Sequence, residues 1–211
     1  MTNTSIVPLI GRRAASKHER REAIVAAARR SFLDDGYAAT SMSGLLKTLG
    51  GSKATLWSYF RSKEELFAAV IEHVTSAFRE KVESQLLAAG ELEPTLTAFC
   101  RNFMTMIANP DTNATWRLVV AESGRFPEVG RIFYERAASR VELAVGAYLT
   151  EQIAAGRLHN EDPAIMAQQL IGMCAAQQNK LLWGVSPADD GQIEADAVRF
   201  TEYFLRLFAI R

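Results

Sequence analysis

The sequence predicts an all-α protein of about nine helices. Three observations carry that expectation. Apolar residues recur at three- and four-residue spacing along most of the chain, the strict alternation of β-branched residues that marks strands is absent, and helix-capping pairs stand at regular intervals. At 211 residues, nearly half of them hydrophobic, the chain can bury a sizeable core.

The elements follow in order. Ser16 and Glu19 form a capping box ahead of Ile24, Ala27, Ala28 and Phe32, which share one helix face. That helix should stop near Asp35, because Gly36 offers the left-handed conformation that helix C-termini favour. Two short helices follow, from Ser41 to Gly50 and from Ser52 to about Tyr59. Ser62 and Glu65 make a second capping box, opening a long helix to Gly90. Pro94 opens a helix that runs to Asn109-Pro110, and "TNATWRLVVAESG" reads as another, closed by Gly124. Pro127 to Gly156 carries one sustained period. Asp162-Pro163 pairs a capping carboxylate with a proline at the first helical position, predicting a helix over about 163–183. A last helix is expected over about 192–209.

Composition narrows the function. No run approaches the roughly 18 apolar residues that a membrane span requires. The apolar patch from Ile6 to Ile10 is shorter than a signal-peptide core, and its arginines follow it. A cytoplasmic protein without membrane contact is the expectation. Cys100 and Cys174 are the only cysteines, and no ligand spacing suggests a metal. They read as two buried small hydrophobes, with a redox-sensing pair as the alternative. His18, His73 and His159 stand far apart, and there is no HExxH, no GxSxG and no phosphate-binding glycine loop. Neither a cofactor nor catalysis is expected.

Net charge is zero, yet residues 1–63 hold eleven Lys/Arg against four Asp/Glu, which leaves the remainder equally acidic. A basic end on an acidic body suits contact with a polyanion, though an excess on a solvated face reads the same.

The two short helices at 41–59, joined at Gly50-Gly51 and preceded by a longer one, describe a helix-turn-helix. In that motif the N-terminal residues of the second helix approach base edges in the major groove. Ser52 can cap that helix while leaving N–H groups that suit a phosphate. Lys53 and Thr55 can donate to phosphates or bases, and the Thr55 methyl can meet a thymine methyl. Trp57 and Tyr59 offer a ring to pack and a polar tip for a backbone oxygen. Phe60 should face the core. The same residues would also suit a structural helical hairpin, so a helical protein-interaction module and an enzyme without DNA contact stay open at this point.

The stretch "FLDDGYAATSMSGLLKTLGGSKATLWSYFRSKEELFAAV" resembles the N-terminal domain of TetR-type transcriptional regulators. The shared pattern runs through Phe32, Gly36, Tyr37, Thr40, Ser41, Gly50, Ser52, Thr55, Leu56, Tyr59, Phe60, Lys63, Glu64 and Leu66, within about residues 17–77. The chain departs from it at Leu45-Leu46, Leu49, Gly51 and Trp57, which implies a repacked but intact motif. The resemblance implies a basic arm over 1–16, a DNA-binding domain over 17–77, and an effector-binding and dimerisation domain over 78–211. It implies a homodimer on a near-palindromic DNA operator. Thr40 and Ser41 would contact phosphates at the start of the second helix, Lys53, Thr55, Trp57 and Tyr59 would read from the third, and Lys63 would hold a phosphate. Met42, Ala54 and Ser58 complete that contact set, and Arg12 and Arg13 of the arm would add to it.

"WRLVVAESGRFPEVGRIFYERAASRV" and "GRLHNEDPAIMAQQL" are similar to the C-terminal domain of an AefR-like branch. That likeness implies an interface built from the last two long helices and a mostly apolar effector pocket. Phe99, Phe103, Met104, Met106, Trp116, Val120, Phe133, Tyr148 and Trp183 are its candidate wall. Asn102, Glu122, Arg125 and Gln178 are candidates to orient a ligand. A hydrophobic or aromatic effector would release the regulator, a repressor by family habit, from DNA.

Overall fold

The computed structural model describes residues 9–50, 52–88, 90–176, 178–184 and 189–210, with side chains from Lys17 onward. Among them the architecture is all-α: α1 (Leu9–Ala39), α2 (Met42–Leu49), α3 (Lys53–Tyr59), α4 (Lys63–Leu87), α5 (Leu92–Ala108), α6 (Pro110–Ser123), α7 (Pro127–Phe133), a π-helical turn (Tyr134–Ala138), α8 (Ser139–Ala154), α9 (Pro163–Ala175), α10 (Gln178–Leu182) and α11 (Asp190–Phe208). The surplus over nine has two sources. The segment expected as one helix from Pro127 is interrupted by the π-turn, where the Ser139 N–H reaches back five residues to the Tyr134 carbonyl. The segment expected over 163–183 ends at Ala175, and α10 is a separate short helix.

Caps explain most boundaries. Asn109 accepts from the Asp111 N–H at 2.9 Å, Asp162 from Ala164 at 2.8 Å and Asp189 from Gly191 at 2.9 Å, each at a helix start. Ser62 accepts from the Glu65 N–H at 3.1 Å while the Glu65 carboxylate takes the Arg61 N–H at 2.7 Å, a reciprocal pair at the start of α4. The first helix departs from expectation. It is already helical at Leu9, so Ser16 is no start, because Arg12, Arg13, Ala14 and Ala15 are strong helix formers that carry the helix past the capping box. Gly36 does break it, with φ at 85°.

The chain divides into two compact units, one ending at Val70 and one beginning at Ile71, inside α4. The first is organised around Phe32, Tyr37 and Phe67, with ring centroids 5.2–5.6 Å apart. In the second, α5 packs on α11 and α8 on α9 around Leu96, Phe99, Val145, Leu149, Leu170 and Phe204. The end of α11 is pinned by an antiparallel bridge between Leu158 and Ala209, in which the His159 N–H meets the Phe208 carbonyl at 2.8 Å. Cys100 and Cys174 are both buried in this core and both unoxidised. Hydrogen bonding with Cys100 and burial push the Cys174 thiol well above its ordinary value. No helix among the described residues is long and apolar enough to cross a membrane.

Candidate nucleic-acid interface and cavity

The turn between α2 and α3 is built from local rules. Ser41 caps α2 by accepting the Gly44 N–H at 3.0 Å, and Ser52 caps α3 by accepting the Thr55 N–H at 3.1 Å. Gly50 ends α2 with φ at 64°, a conformation that a side chain disfavours. Leu45 is buried and Leu46 and Leu49 are half-buried, while Gly51 lies outside the described residues.

Helix α3 has seven residues and one buried anchor, Leu56. Around it Ser52, Lys53, Ala54, Thr55, Trp57 and Ser58 are exposed, and Tyr59 is half-buried. Trp57 keeps 40% of its surface in solvent. The Thr55 hydroxyl stands 2.9 Å from that of Ser52, and the Ser58 hydroxyl donates to the Thr55 carbonyl at 2.7 Å. Phe60 is buried as expected, with Arg21 over its ring at 5.3 Å.

Three residues expected at the DNA are turned inward. Thr40 is 2% exposed, and its hydroxyl donates to the Gly36 carbonyl at 2.9 Å and lies 3.1 Å from that of Ser31. It braces the glycine break. Met42 is buried beneath α2. Lys63 points its ammonium at the Tyr37 carbonyl, 2.8 Å away, and over the Tyr37 ring at 4.2 Å. That cation ties the start of α4 to the aromatic cluster. The side chains of Arg12 and Arg13 lie outside the described residues. Sequence reasoning missed Arg20, which reaches from α1 to the Gly50 carbonyl at 2.8 Å and the Leu49 carbonyl at 3.4 Å, clamping the turn. Composition gave no sign of it. Beside the turn into α4, the Ser62 hydroxyl and its own backbone N–H hold the Glu64 carboxyl below its ordinary value.

The second unit encloses a cavity of about 260 Å³. Of the residues expected to line it, Phe103, Met106, Trp116, Phe133 and Gln178 do. Trp116 and Phe133 meet edge to face with centroids 5.1 Å apart. Phe99 and Met104 belong instead to the packed core, because α5 presents more than one apolar stripe, and Tyr148 of α8 joins them there. Val120 and Trp183 are exposed, Trp183 by 74%. Asn102 donates to Gln85 at 2.6 Å, and Glu122 and Arg125 stand away from the wall. Val74, Thr75, Phe78 and Arg79 of α4 also line it, and Val74 with Phe78 at helical spacing was the signal that would have found them. Arg136 and Ala137 follow Phe133 by three and four residues and share its face. An arginine there reads by composition as solvated.

Against this geometry, residues 24–70 match the profile of bacterial regulatory proteins of the tetR family, and residues 94–210 match that of the AefR-like transcriptional repressor C-terminal domain. The chain belongs to the TetR family.

TetR-family members are transcriptional regulators, not enzymes; they bind operator DNA and are typically dimers. The flavonoid-responsive regulator FrrA is 32% identical, with a TM-score of 0.78 over 92% of this chain and 99% of that one. A TetR-family regulator from Mesorhizobium loti MAFF303099 is 26% identical, with a TM-score of 0.79 over 92% and 98%. BetI of Rhizobium meliloti (strain 1021) is 34% identical over 114 residues, 54% of this chain and 56% of that protein, so the chain spans about half the length of this curated relative. As a TetR-family regulator, the chain carries its helix-turn-helix in the first unit and its cavity in the second.

Proposed function

We propose that this protein is a repressor that binds a near-palindromic operator as a homodimer and leaves it when a small hydrophobic or aromatic effector fills the cavity. The exposed surface of α3 is the observation that carries the reading. Lys53, Thr55 and Trp57 stand in solvent on a short helix anchored by the buried Leu56, an arrangement that suits an element entering the major groove. Ser41, Ala54, Ser58 and Tyr59 flank them, and Thr40, Met42 and Lys63 act from behind by fixing the angle at which α2 and α4 meet the motif. Action on chromosomal DNA would put the protein in the cytoplasm.

For the dimer, α9 and α11 offer apolar surface to a second copy: Ile165, Val198, Tyr203 and Leu207 are exposed. Two reading helices held roughly 34–36 Å apart would match successive major grooves. An effector that binds a differently spaced dimer better than the DNA-ready one shifts the population away from the operator. The aromatic wall of the cavity supports an aromatic effector, as does the likeness to a regulator named for its response to flavonoids. Its volume lies just under the roughly 300–1,000 Å³ usual for drug-sized ligands, which suits a compact ring system over a long chain.

A gel shift with duplex from beside the protein's own coding region tests the proposal. The expected result is a shifted band, with mobility of a dimer complex, that is lost when Lys53, Thr55 and Tyr59 are all replaced by alanine. A shift untouched by that replacement defeats the assignment of α3, and effectors that leave operator affinity unchanged defeat the release mechanism.

A further inference from the structure

Two arginine side chains stand among the lining of an otherwise apolar cavity. Arg136 comes from the π-turn and pairs with Glu72 of α4, while Arg79, also on α4, lies 3.9 Å from Glu83. All four side chains are between 32% and 50% exposed, so water can take over the role of either glutamate. Pairs open to solvent in this way contribute little, typically ~0.2–1 kcal/mol, because hydration competes with the contact. Neither Glu72 nor Glu83 lines the cavity. The wall's own acid is Glu142, whose carboxylate accepts the Tyr134 hydroxyl at 3.3 Å. Among the described residues the lining therefore carries two arginines against one carboxylate, and both arginines hold replaceable partners.

The aromatic lining supplies the other half of a ligand's description. Phe78, Phe103, Trp116 and Phe133 bring aromatic surface. A ligand seated against those rings would exclude water from the cavity, and a charge contact made there would be stronger than the exposed one it replaces. Arginine also binds carboxylates through two parallel N–H···O bonds, which selects a planar anion over a spherical one.

We infer that the cavity takes an aromatic carboxylate, its rings against Trp116 and Phe133 and its anionic group exchanging with Glu72 for the guanidinium of Arg136. The inference rests on the reading of this cavity as the effector site, and it adds the charge of the ligand and a means of regulation. Exchange unties α4 from the π-turn. Because α4 begins at Lys63 and continues past the division between the two units, what the cavity binds is registered on the helix that follows the reading motif.

The experiment is calorimetric titration of the full-length protein with 2-naphthoate and with 2-naphthamide, which has the same rings and no charge. The acid is expected to bind more tightly by roughly ten-fold, the lower end of what a charge-assisted hydrogen bond contributes. Arg136→Gln should abolish that preference while leaving the amide's affinity in place, which also shows that the cavity is intact. Glu72→Gln removes the competing carboxylate without touching the wall, and should tighten naphthoate several-fold with no change for the amide. Equal affinity for the two probes overturns the inference, and so does a preference that survives Arg136→Gln. Loss of both probes in Arg136→Gln would make Arg136 a shaping residue only, which overturns it too. If neither probe binds the unaltered protein, the reading of the cavity as an effector site falls with it.

Discussion

Lys53 allows the proposed interface to be tested by a number. Its ammonium lies on the exposed side of α3, at the first residue of the helix, and a dimer presents it twice. Each phosphate that a cation neutralises on duplex DNA releases counterions, so that log K falls against log salt with a slope of about −0.9 per contact. Lys53→Gln keeps the length and polarity of the side chain and removes two charges per dimer. The slope should therefore become shallower by about 1.8. Between 50 and 200 mM salt the affinity gap between the parent and the variant should then close by roughly twelve-fold, being widest in dilute salt. Fluorescence anisotropy of a labelled operator duplex across a sodium chloride series reads both quantities. A slope identical in the two proteins would mean that Lys53 meets no phosphate, and the orientation assigned to α3 would be wrong.

Thr40→Val should lower stability by about 1–2 kcal/mol, since it strips a buried hydroxyl from the Gly36 carbonyl, and should leave the salt slope as it was; a changed slope would place Thr40 at the DNA. Phe67→Ala removes a ring that packs edge-on against both Phe32 and Tyr37, and should cost about 4 kcal/mol. At a urea slope of about 2 kcal/mol/M the circular-dichroism midpoint of the first unit should fall by about 2 M, and a shift under 0.5 M or so would refute the weight given to that cluster. Cys100 and Cys174 should resist a thiol reagent in the native protein and react once guanidinium unfolds it, because both are buried. Rapid labelling without denaturant would contradict their placement.

Why some of this was readable from the chain and some was not comes down to distance along it. Caps are local, so Asp162 and Ser52 announced their helices within three or four residues, while Asn109, expected to end one helix, also caps the next. The glycine break at residue 36 is local as well. Leu56 and Phe60 fell inward because the period of a short helix leaves them no other side to occupy. The inward turn of Lys63 was hidden, since its partner is the Tyr37 carbonyl, 26 residues away. The same is true of Arg20, which works on a carbonyl 30 positions further on. In the second unit periodicity separated apolar faces from polar ones, and it put Phe103, Trp116 and Phe133 on the right side of their helices. It could not tell a cavity wall from packed core, because Phe99 and Phe103 share one helix and the difference lies in what stands opposite. Arginines on that wall were invisible for the same reason.

The five-residue turn at Tyr134–Ala138 is a helix with one residue more than it needs. Since each residue of an α-helix advances the direction of the next by about 100°, loss of a single codon there would swing everything beyond it around the axis while leaving the rod unbroken. Evolution thus has at this spot a dial with discrete settings. One deletion, with no substitution anywhere, would present the cavity with a different set of neighbours from α8, and sister regulators that differ in length by one at this position are where a reshaped cavity should be sought first.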